Sequence, residues 1–329
     1  MEGCYMLKHR LIAMIMVVSV LTGCSNVKFT TGLNRDEFAK ISGQKVDMQL
    51  AQILLSETKY SYETIFNDQV WSKEVDDVTM ENHVKNEVRN TIESIVYARE
   101  MALDMNIYIT NDEKQRIKEA AKEYMSYYED TECDFDEKGV ETLYEWLLLA
   151  EKGFYAITDD VDTKVSTDEA RLIQVQYMFF EKTDSGKEEA EYISGLLSEG
   201  KEFVSLAMEY SDDENYILEL SRGEYIREFE ETAFNLESGA VSDIVDTPFG
   251  YYILKCTNYN LEADYDKQAK KVVFARRKQI FTDKYIEYAD GKSGEYNKRF
   301  WKKNPIDKVC KGSGELYNIY TRYFISTRE

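Results

Sequence analysis

Proline is almost absent from this chain, and its scarcity is the strongest constraint on the fold. Pro248 and Pro305 are the only two prolines among 329 residues, so long stretches lack the residue that interrupts a helix. We therefore expect long helices. The length allows roughly two or three domains. A hydrophobic content of 43% with 31% charged residues is typical of a globular protein and not of a disordered one.

The charge balance and the lack of histidine exclude several kinds of function. The formal net charge is −21, which argues against a nucleic-acid binder, because such a protein needs a basic face to displace counterions. His9 and His83 are the only histidines. Since His9 lies in the expected signal segment, a mature site built on two histidines is excluded. The sequence predicts neither a metal site nor a cofactor.

The first 23 residues have the pattern of a secretory signal peptide. Lys8 and Arg10 precede a short apolar run at 11–21, which is too short for a good transmembrane helix of about 20 apolar residues. Leu-Thr-Gly-Cys at 21–24 resembles the bacterial lipobox, which implies cleavage before Cys24 and a lipid on its sulfur. An uncleaved anchor or a plain signal peptide is the alternative. The sequence leaves open whether translation begins at Met1 or Met6.

Three cysteines remain after the signal segment and Cys24 are set aside. Cys133, Cys256 and Cys310 have no metal-site spacing, and an odd number allows at most one internal disulfide. Unpaired thiols would be buried rather than catalytic, because the mature chain has only His83 to activate one.

Residues 24–36 are polar and are expected to form a flexible tether, and residues 37–157 then carry a helical pattern. Asp47 is a good N-cap, and Thr110 with Glu113 forms a capping box. The apolar spacing predicts helices that begin near residues 48, 80, 110 and 137. None carries a chemical motif, so their apolar stripes are interpreted as the core of an all-helical domain.

The pattern changes after a charged linker, and residues 166–259 predict strand, helix, helix, strand, helix, strand, strand. This order is typical of an α+β fold with helices packed around one small antiparallel sheet. Residues 260–329 then begin with a long charged helix, about 264–290. Its apolar stripe needs a partner, so we expect this segment to pack on the N-terminal helices and complete their domain. Gly-Lys-Ser-Gly at 291–294 lacks phosphate-loop spacing and is interpreted as a helix end and loop.

An ordered set of phrases in residues 170–258 resembles the parvulin family of peptidyl-prolyl cis-trans isomerases, also called PpiC-like. Residues 200–207 read Gly-Lys-Glu-Phe-Val-Ser-Leu-Ala, and Tyr-Ser-Asp-Asp follows at 210–213. Arg-Gly at 222–223 precedes Phe-Glu-Glu-Thr-Ala-Phe-Asn-Leu-Glu-Ser-Gly at 229–239. Thr-Pro-Phe-Gly-Tyr-Tyr-Ile-Leu-Lys at 247–255 completes the set. With the lipobox and flanking helices, the chain resembles a PrsA-type foldase lipoprotein, related in layout to SurA-like chaperones.

The resemblance implies a site that rotates X–Pro bonds without a nucleophile or metal. Its apolar cup for the proline ring would consist of Ile217, Leu220, Tyr225 and Phe229. Its polar groups would be Asp213, Thr247, Tyr177 and Tyr252. The last two stand where family members usually carry histidines, and the family's Gly-Gly-Asp-Leu-Gly phrase is also absent. Tyrosine hydroxyls can donate and accept hydrogen bonds, but they do not titrate near neutral pH.

The resemblance also implies partners and a location. We expect a lipid-anchored protein on the extracytoplasmic face of the membrane, in a cell that the layout favours as Gram-positive. It would assist folding of exported proteins at X–Pro segments, and the sequence leaves a homodimer open. The alternative is a catalytically weak or inactive parvulin-fold chaperone that only holds unfolded chains, and a structural lipoprotein is disfavoured by the parvulin phrases.

Overall fold

The structure is a computed structural model that describes residues 26–75, 78–128, 131–213 and 215–325. The expected signal peptide and lipidated Cys24 lie outside the described residues, as does the choice of Met1 or Met6. Two compact units divide the chain. One contains the residues up to Asp159 and from Ile280 onward, and the other is Asp160–Gln279. No helix in the described part of the chain is long and apolar enough to span a membrane.

The described part of the chain contains ten α-helices and ten strands, besides short 3₁₀ and π-helical turns. The helices are α1 Met48–Phe66, α2 Met80–Asp104, α3 Asn111–Ser126, α4 Glu137–Ile157, α5 Asp184–Ser198, α6 Phe203–Tyr210, α7 Arg227–Asn235, α8 Tyr265–Ala289, α9 Lys298–Lys303 and α10 Leu316–Tyr320. The strands are β1 Asn26–Thr30, β2 Glu37–Ile41, β3 Gln44–Asp47, β4 Glu74–Val75, β5 Val78–Thr79, β6 Leu172–Glu181, β7 Ile217–Ser221, β8 Val245–Asp246, β9 Gly250–Leu261 and β10 Ser293–Asn297.

The four long N-terminal helices begin close to the positions that the apolar spacing predicts. Asp47 Oδ1 accepts the amide of Gln49 at 2.8 Å and so caps α1. At the start of α3, the Thr110 hydroxyl and the Glu113 carboxylate exchange hydrogen bonds with each other's backbone amides, which confirms the predicted capping box. The apolar stripe of α2 is buried, as expected of an amphipathic helix.

The expected tether is in part a strand, which corrects the sequence analysis. β1 lies parallel to β10, and the sheet continues through β2 to β3. Phe29 packs edge-on against Trp301 with ring centroids 4.8 Å apart. The partner of β1 is more than 260 residues away, so no local pattern could reveal it. Gly291 ends α8 with a φ of +69°, but Ser293 already begins β10, so the expected loop is shorter than predicted.

The C-terminal residues from Ile280 onward belong to the helical unit. Phe281 contacts Phe154 of α4 with centroids 5.2 Å apart, and Tyr285 lies 5.9 Å from Tyr97 of α2. The division between the units falls inside α8, at Gln279, and not at residue 260 as the sequence pattern predicts. A disulfide joins Cys133 to Cys310 within this unit, while Cys256 in the other unit is buried and free.

The second unit is built on one antiparallel sheet in the order β7-β6-β9-β8. β6 and β9 pair along most of their length. β8 contains only two residues, and Val241 makes only an isolated bridge to Lys255. The Ser242 side chain accepts the amide of Leu254 at 2.9 Å and takes the place of a regular ladder bond there. Apolar clusters cover both faces of the sheet, with α7 on one face and α5 and α6 on the other.

Candidate functional site

Strand β6 places the candidate site on one face of the sheet. Ile173 and Val175 belong to the apolar cluster under α7, and Tyr177 packs against the same cluster, because alternate residues of a strand share a face. Met178 and Phe180 belong to the opposite cluster. Tyr252 reaches the site from the neighbouring strand β9 and also packs against the cluster under α7.

Tyr177 and Asp213 are joined by a hydrogen bond. The Tyr177 hydroxyl donates to Asp213 Oδ2 at 2.7 Å, and the backbone amide of Asn215 donates to Asp213 Oδ1 at 2.9 Å. The Ser211 hydroxyl oxygen accepts the amides of Asp213 at 3.2 Å and Phe179 at 3.1 Å. These bonds attach the loop after α6 to β6 and fix the carboxylate beside the phenol.

This arrangement shifts both pKa values in the directions that keep the phenol neutral and the carboxylate charged. Burial and the hydrogen bond to Asp213 raise the pKa of Tyr177 above its usual range. Burial would raise the pKa of Asp213, but the hydrogen bonds from Tyr177 and Asn215 outweigh it and lower that pKa. Burial, followed by the nearby Asp213 charge, also raises the pKa of Tyr252.

Three aromatic rings gather around Phe229 of α7. Tyr252 meets it edge-on at 5.2 Å between centroids, Tyr177 meets it edge-on at 6.3 Å, and Tyr225 stacks on it at 5.2 Å. Phe229 is only 2% exposed, while Tyr225 is 47% exposed. The solvent-facing surface of the expected cup is therefore formed by tyrosine rings, with Phe229 beneath them.

The remaining residues of the expected cup are placed differently. Leu220 is fully buried in the cluster under α7 and lies beneath the surface. Ile217 is 51% exposed and pairs with Gln176 of β6. Gln176 lies between Val175 and Tyr177, which face α7, so it and Ile217 face the other side of the sheet. Residues three apart on a strand face opposite sides, so Ile217 and Leu220 cannot both line one cup. This corrects the sequence analysis for Ile217.

The hydroxyl of Thr247, an expected polar residue of the site, forms hydrogen bonds only within its own turn among the described residues. Its hydroxyl donates to the Gly250 carbonyl at 2.7 Å and accepts the amides of Phe249 and Gly250 at 3.2 and 3.1 Å. The side chain is 2% exposed. Thr247 thus stabilises the turn between β8 and β9, and its hydroxyl is not available to the tyrosine rings around Phe229.

Three neighbours of the site were missed in the sequence. Leu218 packs against the cluster under α7, Phe179 lies 4.9 Å from Tyr252 between ring centroids, and Ser211 anchors Asp213. The alternation of strand residues could have identified the first two, since Leu218 is two positions from Leu220 and Phe179 is two positions from Tyr177. No sequence signal marks Ser211 as a connection to β6.

The chemistry available here is binding and polarisation. Tyrosine rings offer an apolar surface to a proline ring, and the Tyr252 hydroxyl has no hydrogen-bond partner in the described part of the chain. Within those same residues, no group of three or more histidine, cysteine, aspartate or glutamate side chains is placed to hold a metal ion. Rotation about an X–Pro bond requires no bond cleavage, so a shaped apolar surface with hydrogen-bonding groups suffices.

Comparison with known proteins identifies the family of the domain that holds these residues. Residues 172–258 match the Rotamase family, described as the PPIC-type PPIASE domain. The chain is 27% identical over 259 residues to a foldase protein PrsA of Caldanaerobacter subterraneus subsp. tengcongensis, an alignment that covers 74% of this chain and 80% of the relative. It is 24% identical over 317 residues to a PrsA of Clostridium botulinum strain Okra, covering 82% and 91%.

A solved structure of the PrsA peptidylprolyl isomerase from Bacillus anthracis is also similar. It is 22% identical, its alignment covers 59% of this chain and 93% of that chain, and the TM-score is 0.42. The family match falls on the unit that holds Tyr177, Asp213 and Tyr252. Residues 172–258 therefore form a parvulin-type peptidyl-prolyl cis-trans isomerase domain of the PPIC family, within a chain that is similar to the PrsA foldases over most of its length.

Proposed function

We propose that this protein is a membrane-anchored, extracytoplasmic foldase that isomerises X–Pro bonds in exported polypeptides. The observation that carries the proposal is the Tyr177–Asp213 pair beside the rings of Tyr252, Tyr225 and Phe229, inside a PPIC-type domain. The apolar run at 11–21 and the lipobox-like residues 21–24 support export and anchoring through Cys24. The foldase names of the relatives support a role in protein folding.

The proposed reaction lowers the barrier to rotation about the amide bond. That barrier is roughly 20 kcal/mol, and uncatalysed rotation takes tens of seconds or more. The proline ring would rest on Tyr225 and Tyr252, whose rings exclude water from one side of the amide. The Tyr252 hydroxyl would donate to the substrate carbonyl as it turns out of conjugation. Tyr177, oriented by Asp213, would offer its oxygen and its ring edge without releasing its proton.

Tyrosines in place of histidines give the site a distinctive pH profile. The pKa values of Tyr177 and Tyr252 are both raised, so neither hydroxyl loses its proton near neutral pH. Asp213 keeps its charge there because its pKa is lowered. We therefore expect an isomerisation rate that is flat between about pH 5 and pH 9, the range between the usual carboxylate and phenol pKa values.

The deciding experiment is an exchange measurement on short peptides. Proton NMR exchange spectroscopy measures the cis-to-trans interconversion rate of X–Pro peptides with and without the protein. The peptides carry an acidic, a basic or an apolar residue before proline. A rate above buffer for at least one peptide supports the enzyme. A rate equal to buffer for every peptide would overturn catalysis.

A holdase that binds unfolded chains without isomerising them is the second candidate. The observation that favours it is the 2% exposure of Phe229, which lies under Tyr225 instead of forming an open pocket floor. Such a protein would suppress aggregation of a reduced or denatured client while leaving X–Pro exchange at the buffer rate. Light scattering of a denatured client, run beside the exchange measurement, separates the two candidates.

A further inference from the structure

A groove of about 510 Å³ lies in the helical unit. Its walls come from α1, from α2 and from the segment around α10. Two carboxylates, Glu57 and Glu87, line it together with the rings of Tyr62 and Tyr317. At its edge Ile65 is 71% exposed, which leaves an apolar side chain in solvent beside the acidic lining.

Glu57 is a buried carboxylate whose hydrogen bonds are made by one of its two oxygens. Only 6% of the residue is exposed. Its Oε1 accepts hydrogen bonds from the hydroxyls of Tyr124 at 2.8 Å and Tyr128 at 3.2 Å, and from the amide of Ser313 at 2.9 Å. All its hydrogen bonds within the described residues go to this one oxygen. The other oxygen, Oε2, keeps unused acceptor capacity in a side chain that lines the groove.

Glu87 is the second carboxylate. It is partly buried, and its Oε2 accepts the Tyr62 hydroxyl at 3.1 Å. Burial raises its pKa, while the bond from Tyr62 and the nearby His83 oppose that rise. A carboxylate held this way lacks most of the hydration that would stabilise its charge in water, so a cation placed beside it gains more than at an open surface.

The lining of the groove contains no lysine or arginine. Among the described residues, the lysines next to it contact other groups, and Lys311 lies 5.9 Å from the ring centroid of Tyr60, which lines the groove. Lys59 donates to the Val309 carbonyl at 2.8 Å and lies 4.0 Å from Glu63, and Lys311 lies 3.8 Å from the same Glu63. Glu57 and Glu87 therefore form no ion pair with a lysine or arginine in the described part of the chain, and His83 is the basic group near Glu87. The lining thus has two carboxylates and no lysine or arginine.

The aromatic rings complete a surface suited to a cation on an apolar stem. Tyr62 stacks near Trp71, with ring centroids 6.1 Å apart, which holds its ring in place. Tyrosine faces attract lysine and arginine head groups, and the attraction grows as the pair is removed from water. The methylene stem of such a side chain can lie along apolar atoms while its head group meets carboxylates.

We propose that this groove binds a lysine or arginine side chain of an unfolded polypeptide, with the flanking apolar residues of that polypeptide resting on Ile65 and Phe66. The inference rests on the proposed foldase function and names the class of segment that the helical unit selects: a basic residue between apolar ones. Charge complementarity commits the groove to this occupant, because its lining is acidic and aromatic and its edge is apolar.

The test uses the full chain and a pair of fluorescein-labelled peptides, Ser-Leu-Phe-Lys-Leu-Ser and its twin with norleucine in place of lysine. Neither contains proline, so neither presents an X–Pro bond to the isomerase domain. Fluorescence anisotropy gives each dissociation constant. We expect the lysine peptide to bind about three- to tenfold more tightly, as one partly screened ion pair allows. The preference should shrink when salt is raised from about 0.05 to 0.5 M.

Protein variants then locate the contact. Glu87→Gln keeps an acceptor for Tyr62 and removes the charge, so it should weaken the lysine peptide about three- to tenfold and leave the norleucine peptide within about twofold. Glu287→Gln is the matched control, because Glu287 is exposed on α8 in the same unit and its substitution removes the same charge. It should leave both peptides unchanged.

Several outcomes would overturn the inference. These are equal affinity for the two peptides, no binding of the lysine peptide, an equal loss of both peptides in Glu87→Gln, or an equal effect of Glu287→Gln. The foldase proposal is judged separately, by X–Pro exchange and by suppression of client aggregation. A protein that passes those two assays but binds both peptides alike remains a foldase without this basic-residue site.

Discussion

The Tyr177 hydroxyl donates a 2.7 Å hydrogen bond to Asp213 Oδ2, joining β6 to the loop that follows α6. Each residue stands at a position that the parvulin resemblance implies for the site, one as a replacement for histidine. The bond gives the phenol a fixed orientation and a raised pKa. A neutral, oriented hydroxyl thus occupies the place where a titratable imidazole is usual.

Replacing Tyr177 with phenylalanine tests this pair. Tyr177→Phe removes the bond, so the pKa of Asp213 should rise toward its ordinary value, and the isomerisation rate should fall about three- to tenfold. Carboxyl titration by NMR measures the first effect and peptide exchange the second. Asp213→Asn is the complementary variant, and it should lower the pKa of Tyr177. An unshifted Asp213 in Tyr177→Phe would contradict the geometry.

The same pair predicts a pH dependence of stability. The folded pKa of Asp213 lies below its unfolded value, so its contribution is present above the unfolded pKa of about 4 and is lost as pH falls through the folded pKa. The difference in unfolding free energy between wild type and Tyr177→Phe should therefore be constant from about pH 5 to 8 and shrink below about pH 4. Because Asp213 is partly exposed, the difference should be only about 0.5 kcal/mol. Urea unfolding measures it, and a difference that grows on acidification would contradict the assignment.

Tyr252 is expected to act on the substrate directly. Its hydroxyl has no partner in the described part of the chain, and its ring packs on Phe229. Tyr252→Phe keeps the ring and removes only the donor, so kcat should fall about tenfold with little change in KM if the bond forms in the twisted state. Tyr251→Phe is the control, because the neighbouring strand residue packs against the opposite cluster. Equal effects of the two variants would exclude the proposed donor.

Substitutions of Tyr225 and Phe229 should differ in their effects on activity and on stability. Phe229 is 2% exposed, so Phe229→Ala should cost about 3–5 kcal/mol of the domain's unfolding free energy as well as any activity. Tyr225 is 47% exposed, and Tyr225→Ala should cost only about 1 kcal/mol while removing the upper surface for proline. Thermal unfolding and peptide exchange on both variants test this. Full activity in Tyr225→Ala would show that proline binds elsewhere.

The disulfide between Cys133 and Cys310 attaches the C-terminal segment to the helical unit across 177 residues. A bridge closing so long a loop restricts the unfolded chain, and reduction should lower the unfolding free energy by about 2–5 kcal/mol. In a background with Cys4 and Cys24 changed to serine, thiol titration of the unfolded protein should give one thiol before reduction and three after it. Three thiols before reduction would contradict the bridge. Cys256→Ser is the control and should leave the bridge intact.

Capping residues and apolar spacing are enough to predict the helices of residues 48–157, because both act within a few residues of each other. The order of predicted strands and helices also indicates the α+β character of the second unit. The ordered parvulin phrases located Tyr177, Asp213 and Tyr252 in one domain before any geometry was known. These inferences rest on local preferences that the chain expresses wherever it is placed.

Which distant residues meet depends on the tertiary structure. It pairs β1 with β10 and bonds Cys133 to Cys310, which the sequence left open. It turns Ile217 away from the site and uses the hydroxyl of Thr247 within a turn. It also brings Glu57 and Glu87, from two helices with no chemical motif, into one groove. Such contacts depend on strand register and on long-range packing, so the residues near each position in the sequence do not predict them.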